Sequence, residues 1–342
     1  MNLSEAFILN KMKQFNITGA GIAVIKDGKL ADTHCFGLLE AGTTELVDRH
    51  SIFNACSISK FVTAIVVMKF VSQGDLDLDE DISRKLVSWT LPVNEYKTTH
   101  KVTLRHLLSH HSGILDPEGS FDALHSQNDG PNMVDLLEGN TPYCRESIAV
   151  KKEPGSEFHY SDAGYCVVQQ LIEDIAGKPF EKAVNDLIFE PLHMDNSTFS
   201  QSFPNGKNFT AGHDKEGNVI PGKYPIYPYA AASGLWTTPS DLARLVIELM
   251  DALDHNSKIG LTSDAAKTLL SPQGTAAWAG LGIFLDGADH ETEISSLGWG
   301  IGYQSMVVAQ PYLKKGIIIM TNTDTGLHQM KGFIGEIYRS WA

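Results

Sequence analysis

Five consecutive positions without a polar side chain, Gly316-Ile317-Ile318-Ile319-Met320, constrain this chain more than any other segment. A run lacking polar alternation suits a strand covered on both faces, since successive side chains point to opposite sides of a sheet. The fold must therefore supply layers above and below that strand. Other strand-like stretches lie at the two ends of the chain. Gly19 to Ile25 is small and apolar, Lys26-Asp27-Gly28-Lys29 turns, and Leu30 opens a second stretch. Asp-Gly between apolar runs is a hairpin signal. Towards the C-terminus Leu281 to Leu285 and Met306 to Ala309 read as further strands, and a helix is expected from about Leu327.

The middle reads differently. From Ser57 apolar residues recur at three and four (Phe61, Ala64, Ile65, Met68), up to a capping Gly74. Leu104 to Leu108 and Tyr165 to Ile175 are helical, the latter stopped by Gly177-Lys178-Pro179, and Pro239-Ser240-Asp241 opens another helix. Two strands at one end, three at the other and helices between predict an α/β chain of the α+β type. One sheet is built from both termini around a helical insertion. The expected division is a sheet domain over 1–56 and 236–342 and a mostly helical domain over 57–235, with the active site in the crevice between them.

Charge and cysteine usage exclude several functions. With 27 basic against 41 acidic residues the net charge is -14, which disfavours nucleic acid and anionic membranes as partners. No uncharged apolar stretch is long enough to span a bilayer. The N-terminus has no secretory pattern, so a cytoplasmic location is expected. Four cysteines are too few for a disulfide framework in 342 residues, and the thirteen histidines show no metal-ligand spacing. No metal and no cofactor is expected.

Two constellations carry chemistry. Ser57-Ile58-Ser59-Lys60 is the chain's one Ser-x-x-Lys, and it falls where a helix begins. Three residues along a helix put both side chains on one face, about 5–6 Å apart at Cβ. Free N–H groups and the positive end of the helix dipole favour an anion there. A plain helix cap is the competing reading of Ser57. The second constellation is Tyr160-Ser161-Asp162, after the Pro154-Gly155 turn and before a helix. A lone Tyr is ordinarily amphipathic core, but beside a Ser–Lys pair its phenol is a candidate proton carrier.

The segment Phe53-Asn54-Ala55-Cys56-Ser57-Ile58-Ser59-Lys60-Phe61 resembles the nucleophile segment of the serine β-lactamase-related superfamily. That group holds class C β-lactamases, penicillin-binding DD-peptidases, D-aminopeptidases and β-lactamase-like carboxylesterases. Leu107-Leu108-Ser109-His110-His111-Ser112-Gly113 is similar to its Leu-Leu-x-His-x-Ser-Gly loop. Tyr160-Ser161-Asp162 matches its Tyr-x-Asn motif with Asp in third place, and Gly234-Leu235-Trp236-Thr237-Thr238 resembles a later landmark.

The resemblance implies a mainly antiparallel sheet flanked by helices and a Ser57 acyl-enzyme. Lys60 and Tyr160 would move the proton, and the backbone N–H groups of Ser57 and Trp299 would form an oxyanion hole. It also exposes a departure. Gly302-Tyr303-Gln304-Ser305 sets a register that puts Ser296-Leu297-Gly298 where relatives carry Lys-Thr-Gly or His-x-Gly. The cation that would hold a substrate carboxylate is missing, a contact worth roughly 1.5–3 kcal/mol. Asp162, acceptor-only when ionised, would favour a charged Lys60.

The expected function is hydrolysis of a small ester or amide, carboxylesterase-like or D-amino-acid amidase/peptidase-like. The expected partner is a small-molecule ester, amide or short peptide; oligomeric state is not legible. Asp162, Ser296, Leu297 and Gly298 are the expected substrate-binding positions. Two alternatives stay open: a β-lactamase or penicillin-binding DD-peptidase, and a degraded relative that binds a peptide or acyl ligand without turnover.

Overall fold

The computed structural model describes residues 3–123, 130–200 and 208–342. Its centre is a six-stranded antiparallel sheet in the order β2-β1-β8-β7-β6-β5. The strands are β1 (Gly19–Lys26), β2 (Lys29–Gly37), β5 (Phe284–Asp286), β6 (Glu293–Gly300), β7 (Tyr303–Gln310) and β8 (Lys315–Thr321). The Asp27-Gly28 turn joins β1 to β2 as its sequence predicts, with both residues at positive φ. β8 lies inside the sheet between β1 and β7. Ile317 and Ile319 enter a cluster with Ile8, Met12, Phe333 and Ile337. Ile318 and Met320 enter the opposite cluster with Leu242, Leu245 and Leu249. The unbroken apolar run thus serves two layers.

Helices α1 (Glu5–Gln14) and α7 (Phe333–Trp341) cover the first face, and α6 (Pro239–Leu253) covers the second. The remaining helices named here are α2 (Ser59–Gln73), α3 (Leu104–Leu108), α4 (Asp162–Ala176) and α5 (Ala230–Ser233). α2 is buried almost throughout, and its apolar cluster takes residues from α3, α4 and the sheet together. A short ribbon, β3 (Phe53–Cys56) paired with β4 (Leu235–Thr237), leads into α2. No helix among the described residues is long and apolar enough to cross a membrane.

Three expectations need correction. The sheet has four C-terminal strands rather than three, because the polar, glycine-containing β6 pairs with β7 from Ile294↔Ala309 to Gly300↔Tyr303. The strand expected over Leu281 to Leu285 is only Phe284–Asp286. Leu281 and Gly282 instead donate to the carbonyls of Leu269 and Leu108, leaving the sheet. The last helix starts at Phe333, since Gln329–Lys331 form one tight turn and Gly332 is extended.

Candidate active site

Ser57 stands at the junction between β3 and α2. Cys56 before it takes the left-handed region at φ 48, rare for a residue with a side chain. Two bonds hold it there: its N–H donates to Asn54 Oδ1 at 2.8 Å, and its carbonyl accepts from Ser59 Oγ at 2.6 Å. Ser59 Oγ also accepts from the Leu235 N–H at 2.9 Å, tying the turn to β4. The regular helix starts at Ser59, with Ile58 already in the right-handed helical region and the Ser57 carbonyl accepting from the Lys60 N–H at 3.0 Å. Among the described residues no backbone N–H bonds the Ser57 hydroxyl, which is left for other work. Among the described residues its N–H has no partner. Burial pushes the neighbouring Cys56 thiol up, against a smaller pull from Lys60, so that sulfur is inert packing.

Lys60 is 3% exposed, and its Nζ reaches Ser57 Oγ at 3.3 Å, the Ala232 carbonyl at 2.9 Å and Asp162 Oδ1 at 2.6 Å. The α5 turn that offers the Ala232 carbonyl is fixed to α2 by Thr63 Oγ1, which donates to Ala231 O at 2.9 Å. Nζ also lies 4.8 Å from the centre of the Tyr160 ring. Burial works against the ammonium, but the charge of Asp162 and its hydrogen bond, with the Tyr160 phenol oxygen as a further partner, outweigh it and hold Lys60 above the ordinary lysine range. Lys60 therefore rests as an ammonium.

The Tyr160-Ser161-Asp162 segment is clamped from the stretch after α3. Asp116 accepts from Ser161 Oγ at 2.9 Å and from the N–H groups of Asp162 and Ala163 at 3.1 and 2.8 Å. This places its carboxylate on the N-terminus of α4, where free donors favour an anion. Burial, then the Asp162 charge, nevertheless raise its carboxyl above the usual range against those three bonds. His110 Nδ1 accepts from the Ser161 N–H at 3.1 Å, and its ring stacks on Tyr160 at 4.4 Å. That leaves the imidazole proton on Nε2.

Burial, then the Lys60 charge, push His110 well below the usual histidine range, and burial also lowers His106, His111 and His213. The unfolded chain protonates these rings near their ordinary pKa of about 6.5, whereas the folded one resists. Their contribution to stability is present above that value and is lost as pH falls through and below it. The urea midpoint should drop between about pH 7 and about pH 5. His110→Asn should flatten that slope; an unchanged slope would contradict the neutral, buried His110.

Ser57, Lys60, Tyr160, Ser296 and Leu297 line one cavity with His110, Phe158, Ile283 and Phe284. Asp162 stands behind Lys60. Gly298 does not face the cavity but meets β3: a Cβ there would lie 2.1 Å from Ala55 O and 2.2 Å from Ser305 Oγ. Trp299 does not line the cavity; it is 44% exposed, with its indole N–H on Asp324 Oδ1 at 2.8 Å. In a two-residue hairpin the closing pair, here Gly300↔Tyr303, is hydrogen-bonded, and alternation makes Trp299↔Gln304 a non-bonded pair. The Trp299 N–H thus points off the open side of β6, beyond the last β5 pair at Phe284↔Ser295.

Two features of the site are absent from the sequence reading. Asp116 follows the Ser112-Gly113 landmark, but its partners are some 45 residues on, and no local pattern marks them. Phe158 gives an apolar wall in a segment whose signal was its Pro-Gly turn.

A family model described as Beta-lactamase matches residues 5–332. The chain belongs to the beta-lactamase family. This family of serine hydrolases is the one that the motifs resemble, and its fold is the one described above. Among curated relatives, Protein flp of Staphylococcus aureus (strain NCTC 8325 / PS 47) is 24% identical over 333 residues, 94% of this chain and 63% of that protein. The chain therefore spans less than two thirds of the length of that relative. Among solved structures, the octameric penicillin-binding protein homologue from Pyrococcus abyssi superposes with a TM-score of 0.77 at 24% identity, covering 98% of this chain and 76% of that one. The D-amino acid amidase from Ochrobactrum anthropi SV3, complexed with D-phenylalanine, gives 0.76 at 20% identity, covering 98% of each.

Proposed function

We propose that the protein hydrolyses small neutral or cationic esters or amides through an acyl-enzyme on Ser57. The observation that carries this reading is the line Ser57 Oγ, Lys60 Nζ, Asp162 Oδ1, with steps of 3.3 and 2.6 Å, ending on one wall of a cavity. Ser57 Oγ attacks the carbonyl carbon. Its proton passes to the Tyr160 phenol as the phenol gives its own to the leaving alcohol or amine. Lys60, as an ammonium, orients Oγ and stabilises the charge developing on it. The N–H groups of Ser57 and Trp299 receive the carbonyl oxygen as it becomes an oxyanion. Water then attacks the Ser57 ester, its proton returns to Oγ along the same path, and the acid leaves.

The preference for neutral or cationic substrates rests on Ser296. It lines the cavity, buried, where many family members carry a cation, and the charges nearest the nucleophile are the Lys60 ammonium and carboxylates. Among the described residues lining the cavity, Lys60 is the one Lys or Arg, and Asp162 already pairs it; the -14 net charge adds a long-range penalty. The D-amino acid amidase among the fold neighbours fits this class, and so would an esterase.

The test is hydrolysis of p-nitrophenyl acetate and nitrocefin by wild type and Ser57→Ala. Ester turnover should fall by about a thousandfold or more in the variant, with nitrocefin almost inert in both proteins. Fast nitrocefin turnover would move the chain to the β-lactamases and overturn the reading of Ser296. Equal rates for both proteins would overturn the acyl-enzyme itself.

A further inference from the structure

The cavity over Ser57 leaves only about 20 Å³ of open space, room for one water molecule. Its narrowness has an identifiable cause. Phe158 lines it, packed edge-on against His110 at 5.5 Å and His111 at 5.8 Å, with Trp278 behind it at 4.4 Å. Trp278 also lies 5.9 Å from Phe284, which lines the cavity beside Ile283.

The backbone that carries these residues is tied down. Leu285 N–H donates to Trp278 O at 2.8 Å, Gly280 N–H to Ile283 O at 2.9 Å, Leu281 N–H to Leu269 O at 3.2 Å and Gly282 N–H to Leu108 O at 3.0 Å. Gly282 presses so closely on α2 that a Cβ would lie 2.7 Å from Ala64 Cβ and 2.8 Å from Lys60 O. The backbone of this wall is pinned at both ends and along its length, so the wall cannot withdraw as a whole. On it Phe158 and Phe284 are half-buried, Ile283 is buried, and Trp278, 48% exposed, closes the outer side.

We infer that Phe158, Ile283 and Phe284, braced by Trp278, form a fixed size filter beside the nucleophile that admits acyl groups of acetyl size and rejects longer or branched ones. This rests on the Ser57 acyl-enzyme reading and narrows its substrate class to esters or amides of the smallest carboxylic acids. Phe158 and Phe284 are specificity-determining residues in this scheme and take no part in bond making.

The experiment compares kcat/KM for p-nitrophenyl acetate, butyrate and hexanoate in wild type, Phe158→Ala, Phe284→Ala and Ser57→Ala, with melting curves to confirm folding. Phe158→Leu serves if the alanine variant is unstable. Wild type should lose about a hundredfold or more from acetate to hexanoate, and either truncation should raise the hexanoate-to-acetate ratio by about tenfold. A wild type that prefers hexanoate, or a ratio moved by less than about threefold in every folded truncation, overturns the filter while leaving the acyl-enzyme in place. Turnover that Ser57→Ala leaves unchanged removes the acyl-enzyme, and the filter with it.

Discussion

Replacing Asp162 with alanine should destabilise the protein by about 3–5 kcal/mol, more than replacing the lysine it faces. The asymmetry comes from burial. Lys60 is 3% exposed and Asp162 20%, so Asp162→Ala strands an ammonium whose remaining partners, the Ser57 hydroxyl, the Ala232 carbonyl and Tyr160, include no carboxylate. Lys60→Met leaves instead a carboxylate that water can reach, and the Met side chain fills much of the vacated space. The double variant should recover most of the loss, since the cost lies in the unpaired charge. Urea unfolding of the two singles and the double closes the cycle. Asp162→Ala within about 1 kcal/mol of wild type would show that the pair is hydrated and the description of the site wrong. Asp162→Asn, which restores the family's Tyr-x-Asn pattern, keeps an acceptor for Lys60 and should cost less than the alanine.

Gly298→Ala should be comparably damaging for a steric reason. The added methyl would meet a backbone carbonyl, Ala55 O, at 2.1 Å and the hydroxyl of Ser305 at 2.2 Å. Neither is the far end of a long side chain, and Ser305 Oγ is itself bonded to Ala55 O at 3.1 Å. Relief requires β6 to withdraw from β3, the strand that leads to Ser57. Stability should fall by about 1–3 kcal/mol or more. Ester kcat/KM should fall by about a hundredfold from displacement of the nucleophile relative to the Trp299 N–H. Chemical denaturation and p-nitrophenyl acetate kinetics read the two effects. Wild-type behaviour in both would mean that β3 and β6 are not in this contact.

Much of this was legible in the sequence where local chemistry decides. Asp27-Gly28 sets a hairpin, Gly74 at φ 82 ends α2, and Thr238-Pro239 starts α6 with a hydroxyl cap and a proline in the first turn. The Ser57–Lys60 spacing needs only one helical turn, and Tyr160 with Asp162 came by resemblance. The misses arise where distant contacts decide. β6 carries Ser295, Ser296 and two glycines, a poor strand by composition, and it forms because β7 pairs along its whole length. Ser57 stands just ahead of the regular helix rather than capping it, at a turn where Cys56 is held left-handed by bonds to Asn54 and Ser59. The charge state of Lys60 depends on a carboxylate that lies 102 positions along the chain but 2.6 Å away. Asp116, which aims that carboxylate, has no local signal at all.

The central place of β8 shapes how the chain must fold. β1 is complete as soon as Lys26 has left the ribosome, yet its inner neighbour is β8, with Ala20 against Thr321 and Ile25 against Gly316. Until β8 has been synthesised, one edge of the β1–β2 hairpin has no strand beside it, and α7, which covers one of its faces, follows later still. Closing so long a loop costs entropy before any contact repays it. The hairpin therefore spends translation as an open edge, the state in which strands from neighbouring chains join most readily. That exposure lasts until Lys315–Thr321 has been made and paired with β1.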